Sequence, residues 1–127
     1  MLLDTAKEFF NRLNAKEGAS DWLKAYDNMR MEFDVTDGEP FHVDINKGRI
    51  VATKPGKIKD FSVRDDISIF GPERYLNLVF EGRLTPATAM FYGKLTPRGE
   101  RAKHNQAVVA FRLMRMAQEP DLIKKID

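Results

Sequence analysis

The spacing of apolar residues changes several times along the chain, and each change marks an element. Leu3, Ala6, Phe10 and Leu13, with Phe9 beside them, recur at the helical period. Asp4 stands where a cap for that first helix is expected. Lys16–Gly18 breaks the pattern, and Ser20 is placed to cap a short second helix carrying Trp22, Leu23 and Tyr26. Period two then takes over: Met31, Phe33 and Val35 alternate with Arg30, Glu32, Asp34 and Thr36. After the turn Asp37-Gly38-Glu39-Pro40, Phe41, Val43 and Ile45 resume the apolar face, opposite His42, Asp44 and Asn46. A second turn at Asn46-Lys47-Gly48 leads into Arg49–Lys54. The reading is a three-strand antiparallel meander with one dry and one wet face. Even-numbered residues pair across its hairpin, which sets His42 opposite Asp34.

Pro55-Gly56 starts a loop in which Phe61–Val63 is expected to be briefly extended. Asp66–Phe70 reads as a strand. Gly71-Pro72 opens a helix with Pro72 at its first position and Tyr75, Leu76, Val79 and Phe80 on one face. Gly82 ends that helix as a left-handed cap. Thr85 and Pro86 begin a short helix to Tyr92, which Gly93 ends. Lys94–Arg98 leaves as a strand, with Pro97 at an edge. Glu100–Gln118 closes the pattern as a helix with a stripe at Ala102, Val109, Ala110, Leu113, Met116 and Ala117. A second apolar set, Val108, Phe111 and Met114, lies beside the first. That width calls for a further element, a cavity, a ligand or a partner.

The 127 residues suit one domain spanning 1–127, with 43% hydrophobic residues and no cysteine. The missing cysteine excludes disulfides, a thiol nucleophile and Cys-ligated zinc, and suits a reducing compartment. No apolar run approaches the roughly 20 residues of a membrane span. The opening MLLDTAKEFF lacks a secretory pattern and the closing DLIKKID lacks a peroxisomal address, so a cytoplasmic protein is expected. The net charge is only +2. Even so, residues 82–118 hold Arg83, Lys94, Arg98, Arg101, Lys103, Arg112 and Arg115 against the single acid Glu100. This basic third on an acidic body suits an anionic headgroup or membrane surface, and is too weak overall to predict nucleic acid.

Two near-copies sit in this stretch, Gly82-Arg83-Leu84-Thr85-Pro86 and Gly93-Lys94-Leu95-Thr96-Pro97. The element assignment gives them different structural jobs, so the duplication reads as coincidence. The run Gly82-Arg83-Leu84-Thr85-Pro86, then Ala89-Met90-Phe91-Tyr92-Gly93-Lys94-Leu95, then Gly99 and a last amphipathic helix resembles the sterol carrier protein type-2 domain. That family shows a G-x-L-x-P, A-x-x-x-G-K-L, G-[DN] progression. The likeness is motif-specific over roughly residues 71–118 and extends to nearly the whole chain as an order of elements. Glu100 departs from the usual Asp or Asn, and Pro97 sits inside the usual strand.

The resemblance implies an α+β fold: a five-stranded, mainly antiparallel sheet with helices packed on one face, enclosing a hydrophobic tunnel. It implies binding and transfer or presentation of fatty acids, acyl-CoA, sterols or phospholipids, with no catalytic residue and no cofactor. Residues placed to line such a tunnel are Leu76, Val79, Phe80, Met90, Phe91, Val108, Phe111 and Met114. Arg83, Lys94, Arg101, Lys103 and Arg112 would meet a headgroup or a membrane surface. The alternative is a non-catalytic accessory or interaction module of the same fold, acting beside a lipid-metabolising enzyme or as a homodimer through Val108, Phe111 and Met114. A third reading, a small enzyme, would use Asp34, His42 and Asp44 around a base or metal, and lacks a matching pocket motif. No P-loop, dinucleotide-binding glycine pattern, H-E-x-x-H or G-x-S-x-G occurs. His104 reads as surface, and Trp22 with Tyr26 as a packing anchor.

Overall fold

The computed structural model describes residues 2–62, 65–98 and 104–125. Helix α1 (Leu2–Asn14) buries Leu2, Ala6, Phe9, Phe10 and Leu13, one continuous stripe. Asp4 lies inside the first turn, where its charge favours the helix dipole, and does not cap it from outside. Helix α2 (Ala19–Leu23) starts after Gly18, whose φ of 86° turns the chain left-handed. Ser20 is therefore within the helix, and the expected hydroxyl cap is replaced by a glycine turn.

Strands β1 (Arg30–Val35), β2 (Phe41–Asn46) and β3 (Arg49–Pro55) form the meander, followed by β4 (Asp66–Gly71). Among the described residues of the connecting loop, Phe61 and Ser62 are not in a strand. Helix α3 (Glu73–Phe80) follows with Pro72 just outside it, in extended conformation. A helix end without its own side-chain cap leaves backbone donors unsatisfied. Here Asp37, from the β1–β2 turn, accepts from the Glu73 N–H at 2.8 Å. Helix α4 (Pro86–Phe91) is capped by Thr85, with Pro86 in its first turn. Strand β5 (Thr96–Arg98) and helix α5 (His104–Gln118) complete the elements, and a 3₁₀ turn spans Pro120–Lys125.

The strands lie in the order β3-β2-β1-β4-β5. Three pairings are antiparallel and one, β1 with β4, is parallel. Pro97 sits on edge strand β5 opposite Ile69, so its missing N–H is harmless. At the other edge, the Asn14 side chain pairs with β3 as a strand would, donating to Ile50 O and accepting from Ile50 N–H, both at 2.8 Å.

Odd-numbered residues of β1, β2 and β4 face the helices, joined by Ile50 of β3, which pairs with Ile45. Phe33 and Phe41 are paired in the ladder and stack at 4.9 Å between ring centroids. Phe80 meets Phe9 at 5.0 Å and Phe33 at 5.6 Å, tying α3, α1 and the sheet into one aromatic cluster. The second apolar set on α5 is largely used here: Phe111 and Met114 are buried, because α5 packs on α1, α3, α4 and β4.

The opposite face departs from expectation. Parallel strands need a crossover, and the chain from β3 to β4 makes it with no helix among its described residues, across the face read as wet. Ile58 is buried there, and its N–H donates to the Glu32 carboxylate at 2.8 Å. Ser68 donates to the other Glu32 oxygen at 2.7 Å. Glu32 and Ser68 are thus buried polar groups under a strap. His42 pairs with Glu32 and not with Asp34.

Candidate lipid-binding interior

The residues expected to line a ligand space divide between two environments. Leu76, Val79 and Phe80 from α3 and Phe111 and Met114 from α5 are in the core between helices and sheet. Met90, Phe91 and Val108 are on the surface, with 44%, 81% and 43% of their area exposed. Leu76, Val79 and Met114 have no accessible surface. No water-sized space therefore adjoins them, and the tunnel implied by the resemblance is not open along these three side chains in this conformation.

An opening to the surface exists between α1 and α3. A surface cleft of about 640 Å³ is lined there by Glu8, Phe9, Arg12, Ala15, Phe80 and Glu81, with Phe9 and Phe80 closed off beneath the others. Arg12 donates to the Phe80 carbonyl at 3.2 Å, and its guanidinium lies 5.8 Å from the Phe9 ring centre. Phe80 thus lies just under this cleft, within the buried aromatic cluster. The Gln118 side chain closes the other flank of α3, donating to Val79 O and Leu84 O at 2.8 Å each. Helical spacing alone picks out Val79 and Phe80. It gives Phe9, Phe10, Phe33 and Phe41 only as faces of their own elements, and nothing local in the sequence says that their rings converge.

Of the basic residues, Arg83, Lys94 and Arg112 are exposed, and Arg101 and Lys103 lie outside the described residues. Arg83 is 3.6 Å from Glu81, and the Lys94 ammonium sits 5.2 Å from the Tyr75 ring centre.

On the strap side most of the described polar groups are spoken for, the exception being Asp44 Oδ1, which is buried without a hydrogen-bond partner. Asp34 pairs with Lys57 at 3.4 Å and Asp44 with Lys54 at 2.9 Å. His42 Nδ1 is 2.9 Å from the Gly56 carbonyl and so carries the proton, which turns Nε2 toward Asp44 at 4.0 Å. Arg30 forks onto Asp66 at 2.8 and 2.6 Å and reaches Asp60 at 2.9 Å. The Asp66 side chain is fully buried, and Ser62 N–H donates to it as well. The hydrogen bonds that Arg30 donates to Asp66 hold its guanidinium charged well beyond the usual range. The hydrogen bond from Arg30 holds Asp60 below the usual carboxylate range. Among the described residues no group of three or more His, Asp or Glu is placed to hold a metal ion. None of the described helices is long and apolar enough to cross a membrane.

A five-stranded mixed sheet with an apolar helical layer on one face defines an α+β domain of the sterol carrier type. The SCP-2 sterol transfer family matches residues 9–112, and the chain belongs to that family. Family membership places it among lipid-binding and lipid-transfer domains. A crystal structure of sterol carrier protein 2 superposes with a TM-score of 0.61 at 21% identity, covering 91% of this chain and 95% of that one. A conserved hypothetical protein from Thermus thermophilus gives 0.60 at 17% identity, covering 91% and 85%. The stereoselective inverting sec-alkylsulfatase Pisa1 from a Pseudomonas species gives 0.55 at 16% identity over 74% of this chain and only 14% of its own. At these identities the likeness is one of fold. No curated protein sequence matches the chain.

Proposed function

We propose that this chain is a single non-catalytic domain, residues 1–127, that takes up a lipid tail between its helical layer and its sheet. The walls are Leu76, Val79 and Phe80 of α3 and Phe111 and Met114 of α5. Fatty acids, acyl-CoA and sterol- or phospholipid-like molecules are the ligand class. The observation that carries this reading is Phe80, which lies directly beneath a surface cleft between α1 and α3 and belongs to the buried aromatic cluster. A tail entering there displaces side chains and not water, since Leu76 and Val79 are dry.

Magnitudes agree with transfer. Taking a tail of roughly sixteen carbons out of water gains about 12 kcal/mol at about 0.8 kcal/mol per methylene. A tail leaving a bilayer gains none of it, so the protein has only to match the membrane. A yielding apolar layer with a flexible Met114 meets that requirement. The exposed cations Arg83, Lys94 and Arg112 then serve approach to anionic membranes, at about 1 kcal/mol per basic residue near the surface. A homodimer through Val108, Phe111 and Met114 has less support, because two of the three are already covered within the chain.

Native mass spectrometry of the freshly purified protein, followed by titration with a fluorescent fatty acid, tests the proposal. A bound lipid or saturable binding is expected, and His42→Ala, on the far face, leaves it unchanged. A protein that carries no lipid and takes up neither fatty acid nor acyl-CoA is not a lipid carrier.

A further inference from the structure

Helix α4 is anchored on one side and bare on the other. Pro86 and Ala89 are buried, while Met90, Phe91 and the following Tyr92 stand out with 44%, 81% and 67% of their area exposed. The rings of Phe91 and Tyr92 meet edge to face at 5.2 Å. The corner is held firmly: Thr85 caps the helix start, and the Gly93 and Lys94 N–H groups return to Met90 O and Ala89 O at 3.0 and 2.8 Å. A contiguous set of exposed aromatic rings on a fixed turn marks a surface that something covers.

The surrounding charge says what. From Gly82 to Arg98 the chain holds Arg83, Lys94 and Arg98 and no Asp or Glu. Arg74 approaches the same Tyr75 ring as Lys94, at 4.7 Å, which adds a second cation on the α3 side of the corner. Glu81, the acid just ahead of this stretch, lies 3.6 Å from Arg83. A symmetric pair of copies meeting at this corner would bring like-charged rims together, which opposes self-association. An apolar ring and an amphipathic Tyr beside Lys and Arg are a residue set suited to a bilayer interface, where rings sit at headgroup level and cations meet lipid phosphates.

We propose that the Phe91–Tyr92 corner of α4 is the element that docks this protein on anionic bilayers, with its rings in the interface and Arg83 and Lys94 on the headgroups. The inference rests on the lipid-carrier reading above and adds the place of contact. Docking at this corner would present the helical layer, and not the strap face, to the membrane.

The test is co-sedimentation with vesicles of phosphatidylcholine alone and of phosphatidylcholine mixed with phosphatidylglycerol. The unmodified chain is expected to partition onto the mixed vesicles, less so as salt rises. Phe91→Ser/Tyr92→Ser should lose about tenfold or more of that partitioning, with an unchanged circular dichroism spectrum because both rings are exposed. Arg83→Gln/Lys94→Gln should lose about fivefold per charge and show a weaker salt dependence. Undiminished binding by the Phe91→Ser/Tyr92→Ser variant overturns the proposal. So does a wild-type dimer in analytical ultracentrifugation that this variant converts to monomer while vesicle binding stays the same. Fatty-acid uptake by the unmodified chain in vesicle-free solution is a separate measurement, and its failure would count against the carrier reading while leaving the docking result to stand.

Discussion

Gly48 and Gly82 both hold left-handed backbone, at φ of 72° and 78°, yet a methyl group would meet different surroundings at the two positions. At Gly48 a Cβ would lie 2.5 Å from the Ser20 carbonyl oxygen, which is backbone of α2 and cannot swing away. At Gly82 nothing lies within 4 Å. Gly82→Ala should therefore cost about 1 kcal/mol, the strain of a left-handed residue alone. Gly48→Ala should cost at least twice as much, because α2 must also move off the β2–β3 turn. Urea unfolding of the two variants checks the order, and equal losses would show that the contact with Ser20 relaxes freely. The five-letter doublet is also clearer at this scale. Gly82 N–H bonds to Val79 O and Arg83 N–H to Leu78 O, while Gly93 bonds to Met90 O and Lys94 to Ala89 O. Both copies thus begin with the same helix-ending double turn, so their first letters share one job. Only Thr-Pro diverges, capping α4 in one copy and entering β5 in the other. The repeat is therefore not wholly coincidental. That shared job shows in the two glycines, each read as ending a helix, while the hydrogen bonds that complete the turn reach back into residues that differ between the copies.

Elements with a local period were legible, and the connection between them was not. The meander shows in the alternation from Met31 to Ile45, and α3 and α4 in their stripes and caps. The parallel β1–β4 pairing leaves no such trace, since it depends on where a loop of little periodicity carries the chain. That loop straps the outer face through Ile58 N–H to Glu32 and through Arg30 to Asp60 and Asp66. Asp66 is buried, and Arg30 is the cation that faces it. Arg30→Ala should destabilise by about 3–5 kcal/mol, as removal of one partner strands a buried charge. Arg30→Met/Asp66→Leu should recover most of that loss, and a double variant as unstable as the single one would rule this account out. Asp60 adds a pH dependence. Its folded-state pKa is lowered, mainly by the Arg30 hydrogen bond. Its contribution is therefore present above the usual carboxylate range and is lost as pH falls through the lowered value. Asp60→Asn should flatten the acid limb of the stability curve, as read by unfolding midpoints across that range.

At the scale of the whole molecule, the apolar positions of α3 and α5 were legible as faces, but their state was not. Periodicity says that Leu76, Val79, Phe111 and Met114 point inward. It does not say whether they meet one another or enclose a space. In this conformation they enclose none that water could enter, since Leu76, Val79 and Met114 have no accessible surface and α3 packs against α5. A guest tail must then part layers that are already in contact, and the work of parting them is subtracted from the affinity. This gives stability and binding opposite responses to one substitution. Leu76→Ala removes side chain from the wall and should lower the unfolding free energy by about 2–5 kcal/mol. The same truncation leaves room for part of a tail, so fatty-acid affinity should rise and the bound lipid should restore much of the lost thermal stability, as any ligand of the native state does. Leu76→Trp overfills the layer and should weaken both stability and binding. The pair is read by chemical unfolding of lipid-free protein alongside fluorescent fatty-acid titration at a temperature where both variants remain folded. If Leu76→Ala and Leu76→Trp shift affinity in the same direction, or neither shifts it, the tail does not lie between α3 and the sheet.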